Sequence, residues 1–166
     1  MEAIYKRRSI RKYTSDSIPD HIVEDIIKAG MNAPSAGNER PWHFLVIRKR
    51  ELLEEITTIH PYSAMLKQAP VAILICADIS LEKFKGFWVQ DCSAAAQNML
   101  LEIADRDLGS VWLGVYPIDE RVKGIRKIFN LPEHVEPFAI IPVGKPAEEK
   151  PPKNEFDKER IHYDIW

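Results

Sequence analysis

The sequence predicts an α+β layered fold of one domain, and three observations predict it. Apolar runs of strand length recur at 42–47, 71–77, 110–116 and 137–144. Amphipathic helical stretches stand between them without strict β–α–β alternation, which favours α+β layering over a doubly wound sheet. The end of the chain changes character: ten of the sixteen residues from Lys145 to Arg160 are charged and three are prolines, so that segment builds no core of its own. The expected division is therefore a single domain over 1–144 followed by an extended arm over 145–166.

Each element follows from its own pattern. Asp20–Met31, DHIVEDIIKAGM, reads as a helix with Ile22, Val23, Ile26 and Ile27 on one stripe and Asp20 placed to cap its start. Residues 32–41 form a turn-rich loop carrying two prolines, Gly37 and Asn38. WHFLVI, 42–47, is a short β-prone strand. Residues 50–60 are helical, Pro61 breaks that helix, and 62–68 add a further turn or two. VAILICA, 71–77, is a continuous apolar run between Pro70 and Asp78, the pattern of a central strand buried on both faces. Phe87 to Asp107 contains no Gly or Pro, and Val89, Cys92, Ala96, Met99, Leu100 and Ile103 recur at helical spacing. This should be the longest helix, ended by Gly109. SVWLGVY, 110–116, is the next strand, 119–129 a helix, and PFAIIPVG, 137–144, a last core strand. In the closing IHYDIW, Ile161, Tyr163 and Ile165 alternate with His162, Asp164 and Trp166. That is either a strand reaching for another sheet edge or a frayed tail.

Composition narrows the function. The chain has 166 residues, 45% apolar and 29% charged, with a formal net charge of −2. Nucleic-acid-binding domains are usually basic overall, so the balance argues against that class. No apolar run approaches the length of a membrane span, and MEAIYKRR has no apolar stretch after it, so no secretory signal is expected. Cys76 and Cys92, both in apolar segments, read as buried free thiols of a reducing cytoplasm. No two of the seven glycines are separated by a single residue, which removes G-x-G-x-x-G and P-loop motifs. G-x-S-x-G is absent, and the five histidines stand at no metal-ligand spacing. A phosphate bound here would need side chains rather than a glycine-rich cradle.

Three stretches carry chemistry. In KRRSIRKY, Arg7, Ser9 and Arg11 would face one way if the stretch is extended, and guanidinium groups bind phosphate through paired, charge-assisted hydrogen bonds. The alternative is a solvated basic surface. NAPSAGNERPW, 32–42, offers Ser35 and Asn38 to a polar heterocycle, or is simply a helix–strand connection. In GSVWLGVYP, Gly114 inside a strand pattern suggests close approach by something else, or a bulge.

Together and in this order, with the APVAILICAD strand and the long helix, these stretches resemble the nitroreductase family of FMN-dependent oxidoreductases. The resemblance implies a central, mostly antiparallel sheet flanked by helices. It also implies a homodimer whose C-terminal arms are exchanged between partners, with FMN at the interface. It implies that Arg7, Arg8, Ser9 and Arg11 hold the FMN phosphate and ribityl chain and that Pro34, Ser35, Ala36 and Asn38 lie against the ring or ribityl chain. Leu113 and Gly114 would bring backbone to the ring, and a basic arm residue, chosen here as Arg160 over Lys145 and Lys153, would close over the phosphate. Arg40 stands where the family has glutamine. The implied reaction passes hydride from NAD(P)H through FMN to a small organic acceptor, a nitroaromatic, quinone or similar, by a ping-pong scheme with no catalytic side chain and no metal. The alternatives are a flavin carrier or sensor without turnover and an interaction module using the basic patch.

Overall fold

In the computed structural model, which describes residues 2–166, five strands form one antiparallel sheet in the order β1–β2–β5–β3, with β4 also paired to β5. They are β1 (Trp42–Ile47), β2 (Val71–Asp78), β3 (Gly109–Ser110), β4 (Leu113–Gly114) and β5 (Val135–Gly144). The helices are α1 (Ala3–Lys6), α2 (Asp20–Met31), α3 (Arg50–Ile59), α4 (Trp88–Asp105) and α5 (Asp119–Phe129). The α+β layering and the antiparallel sheet are as expected.

β2 explains why the fold has three layers. Its residues from Val71 to Ala77 are all buried, so both faces of the sheet must be covered. Val71, Ile73, Ile75 and Ala77 pack with α2 and α4 through Val23, Ile26, Cys92, Ala96 and Met99. Ala72, Leu74 and Cys76 point the other way, into a core built with Leu53, Ile56 and Ile125 of α3 and α5. Alternation along one strand thus divides the helices between two faces. α4 is apolar enough to lie deepest, with nine buried residues. Cys76 and Cys92 are free and buried, and burial pushes the Cys76 thiol up to about 12, which leaves it unreactive.

Several expectations need correction. Asp20 does not cap α2: Pro19 holds the cap position, and Asp20, the first helical residue, pairs with Arg48 at 2.6 Å. The run 110–116 is not one strand. Val111 and Trp112 leave the ladder, and just past β4 the N–H groups of Val115 and Tyr116 both donate to the Phe138 carbonyl, a bulge that ends the pairing. α4 stops at Asp105, before Gly109, where Asp107 turns left-handed with φ 58°. The alternation at 161–166 makes no strand. From Pro151 onward every residue is exposed, and alternation without a partner edge gains no ladder. Among the described residues, no helix is long and apolar enough to cross a membrane.

Candidate functional site

The basic stretch runs extended beside β3. Ile10 donates its N–H to the Ser110 carbonyl at 2.9 Å, and Ser9 bridges Ser110. Ile10 turns inward over Gly109, where an added Cβ would meet its side chain at 2.7 Å. The first part of the arm lies along the outer side of this stretch. Ala147 donates to Lys12 at 2.9 Å, Glu148 accepts the Arg11 N–H at 2.5 Å, Lys150 reaches the Ser9 carbonyl at 2.5 Å, and Arg8 donates to the Pro151 carbonyl.

Arg7 and Arg8, with Ser110 and Lys150, line a cleft of about 630 Å³. Arg11 lines a second cleft, of about 430 Å³, with Trp112, Leu113 and Gly114. The expectation that Arg7, Ser9 and Arg11 point together at one anion is therefore not met: Arg7 and Arg11 line different clefts, and Ser9 is among the described lining residues of neither. Arg7 is still the cap residue of α1, so strand alternation begins after it. Segments 7–11 and 110–114 meet where Ser9 and Ile10 pair with Ser110; Ser110 borders the first cleft, and Trp112, Leu113 and Gly114 border the second. Among the described residues, the guanidinium groups of Arg7, Arg8, Arg11 and Arg121 form no ion pair.

Gly114 faces open space: a Cβ added there would meet nothing within 4 Å. The second cleft contains two residues that the sequence did not single out for the site. His60, 2% exposed, lies with Nε2 2.9 Å from the Gly114 carbonyl, and Arg121 donates to the same carbonyl at 2.8 Å. Burial and the neighbouring Arg121 charge both lower the His60 pKa, which keeps the ring neutral. The sequence signal for His60 was weak, a histidine at a helix end before Pro61.

The loop 34–38 sits elsewhere. Gly37 takes φ +52° against the Phe84 ring, which an added Cβ would strike at 2.6 Å, and Asn38 follows at φ 56°. Ser35 Oγ accepts the Arg40 N–H at 3.0 Å, and the exposed Arg40 side chain donates back to Asn38 at 2.8 Å. Beneath the loop two buried carboxylates meet. Asp91, in the first turn of α4, accepts the Ala36 N–H at 2.9 Å, and Glu39 accepts the N–H groups of Lys83 and Phe84 at 2.7 and 3.2 Å. Their remaining oxygens, Glu39 Oε1 and Asp91 Oδ2, have no other partner. Burial and the Glu39 charge raise the Asp91 pKa. Burial acts upward on Glu39 too but is outweighed by its backbone donors and by Asp91, so of the two carboxyls Asp91 is the one whose protonated form is favoured. Asp91 on the apolar stripe of α4 was a legible oddity.

Arg160 stands apart on the arm, paired with Asp157 at 3.0 Å, and touches neither cleft. Lys145 pairs with Asp16, and Lys153 with Glu155.

Comparison with known proteins agrees with this architecture. The model of the nitroreductase family matches residues 4–145. A protein of Methanothermobacter thermautotrophicus, provisionally named NADH dehydrogenase/NAD(P)H nitroreductase, is 55% identical over 166 residues, covering 100% of this chain and 87% of that protein. A crystal structure from Parabacteroides distasonis with the same provisional name superposes with a TM-score of 0.96 at 38% identity, covering 99% of this chain and 97% of that one. A provisionally named nitroreductase from Desulfovibrio desulfuricans, solved in complex with FMN, superposes at 0.85 with 30% identity, covering 99% and 96%.

Proposed function

Because this chain belongs to the nitroreductase family, an FMN-binding family of oxidoreductases, we propose that it is a homodimeric FMN-dependent NAD(P)H oxidoreductase whose flavin lies along segments 7–11 and 110–114. The observation that carries the reading is the set of arginines without ion pairs: Arg7 and Arg8 in the first cleft, which Asp107, Glu148 and Glu149 also line, and Arg11 in the second beside the open face of Gly114. A phosphate monoester carries about −1.5 to −2 charges at neutral pH. Arg7 and Arg8 line the first cleft and form no ion pair among the described residues, so they offer it charge-assisted donors, Arg8 giving up its contact with the Pro151 carbonyl. The residues fit the group at the other end as well. Gly114 leaves room for a planar ring to approach the backbone, Leu113 and Trp112 supply apolar contact, and Arg11 adds a cation at the rim.

Bound FMN would supply the redox chemistry, accepting hydride from NAD(P)H and passing it to a small organic acceptor such as a nitroaromatic or quinone, the two occupying the site in turn. The chain's own residues bind, orient and set charge. Pro34, Ser35, Ala36 and Asn38 lie by the N-terminal end of α4, away from Arg7 and Arg8. They serve the flavin held by the partner's arginines, and the exposed arm with Arg160 crosses to the other chain in the same way. The test is the visible spectrum of the purified protein before and after anaerobic NADH or NADPH. Flavin bands that bleach are expected. Bands that persist would favour a carrier, and a protein that takes up no added FMN would refute the reading.

A further inference from the structure

The Gly114 peptide is held in a way that the sheet alone does not explain. β4 is two residues long and ends in the bulge at Phe138, so little ladder steadies the segment that floors the second cleft. Its carbonyl instead accepts two side-chain donors, His60 Nε2 at 2.9 Å and Arg121 at 2.8 Å, one for each lone pair. The state of His60 is fixed from both sides. The Tyr62 N–H points to Nδ1 at 3.2 Å, so that nitrogen accepts and the ring's single proton must sit on Nε2, facing the carbonyl. Arg121 in turn lies 5.8 Å from the Tyr62 ring centroid, which steadies its guanidinium. Among the described residues, the lining of this cleft contains Arg11 and Arg121 and no carboxylate.

We infer that His60 and Arg121 are positioning residues: both lock the Gly114 peptide at the floor of the cleft, and Arg121 adds a positive charge there that favours the reduced state of the flavin. The inference rests on the FMN reading above. Uptake of a hydride from NAD(P)H, two electrons and one proton, would leave the ring one charge more negative than before. A fixed cation in a cleft without acids therefore stabilises the reduced form over the oxidised one. A residue that merely tied residues 60–63 to the sheet would have no such effect.

The test compares Arg121→Gln, which keeps an N–H donor for the carbonyl but loses the charge, with Arg121→Lys, which keeps the charge. Both are loaded with FMN, and the midpoint potential of the bound flavin is measured by dye-coupled reduction. Arg121→Gln should reduce the preference for reduced over oxidised FMN about tenfold, about 30 mV for a two-electron couple, and Arg121→Lys should restore most of it. In parallel, His60→Phe should slow flavin reduction at saturating NAD(P)H about tenfold with little change in KM, whereas His60→Gln, which retains a donor, should recover much of the rate. Wild-type potentials in FMN-loaded Arg121→Gln would overturn the electrostatic role and leave the flavin site standing. A wild-type rate in His60→Phe would overturn the positioning role. Failure of the unmodified protein to bind FMN would instead remove the site reading on which both depend.

Discussion

Asp91→Asn should stabilise this protein at neutral pH, although it removes a buried group that makes a good hydrogen bond. Asp91 Oδ1 holds the Ala36 N–H, while Asp91 Oδ2 and Glu39 Oε1 are buried with no partner but each other. Only a proton between them satisfies both oxygens. Asparagine keeps the acceptor for Ala36 and puts a permanent N–H where that proton must otherwise be kept. Leaving a buried polar group unsatisfied costs about 1–3 kcal/mol. The gain should fall in that range, at roughly 2–4 °C of Tm per kcal/mol for a chain of this size.

The pH dependence gives the sharper test. The Asp91 pKa is raised in the folded protein from its ordinary 3.8, so above that value the folded state holds a proton that the unfolded state has lost. Stability then falls as pH rises through this window and levels off above the folded value. Glu39, whose folded pKa is lowered from 4.5, acts oppositely: its contribution is present above 4.5 and is lost as pH falls. Asp91→Asn removes the first dependence and leaves the second. Thermal melts at a series of pH values should therefore show variant and parent close together near pH 4, with the variant moving ahead as pH rises and the gap levelling off above the folded Asp91 pKa. A variant that melts lower at pH 8, or a gap that does not change with pH, would refute the shared proton.

Three other outcomes follow from the proposed site. Arg7→Ala and Arg11→Ala should each weaken FMN binding by about 1.5–3 kcal/mol, the scale of a charge-assisted bond, as read by flavin titration of the apoprotein; unchanged affinity in both would remove them from the site. Gly114→Val should leave Tm within about 0.5 kcal/mol equivalents, because its side chain enters open space, yet cost at least tenfold in FMN affinity; a fully flavin-loaded variant would show that nothing approaches that backbone. Removal of 154–166 should leave a folded domain, since those residues are all exposed, but sedimentation should show loss of the dimer together with its flavin.

The layers of the fold were readable because burial acts on whole runs of residues. β1, α2 and α5 follow their apolar patterns to the residue, and VAILICA announced a strand covered on both faces, which in turn requires helices on both sides. What escaped depends on contacts far apart in sequence. The strand expected over 110–116 is broken because Ser110 also serves Ile10 and because the bulge forms on Phe138. The pairing of Glu39 with Asp91, and of His60 with Arg121 on one carbonyl, spans residues that no local period connects. The arginines were legible because charge density is a local property. Which cleft each one lines was not, because that depends on where α1 ends.

The placement of the loop is also an argument for two chains. Asp91, at one end of α4, anchors Ala36, while Ala104, near the other end, borders the Arg7 and Arg8 cleft. From 91 to 104 the helix rises about 20 Å at 1.5 Å per residue. One chain therefore keeps the loop and the arginines at opposite ends of its longest helix, and a single cofactor touching both would have to span that length. A two-fold pairing along α4 removes the difficulty by setting one chain's loop beside the other chain's arginines. Phe84, Phe87, Tyr116 and Ile118 are exposed near the loop end, and the arm carries Phe156, Tyr163, Ile165 and Trp166 at 71–98% exposure. The proposed second copy would cover that apolar surface and complete the proposed flavin site in the same contact.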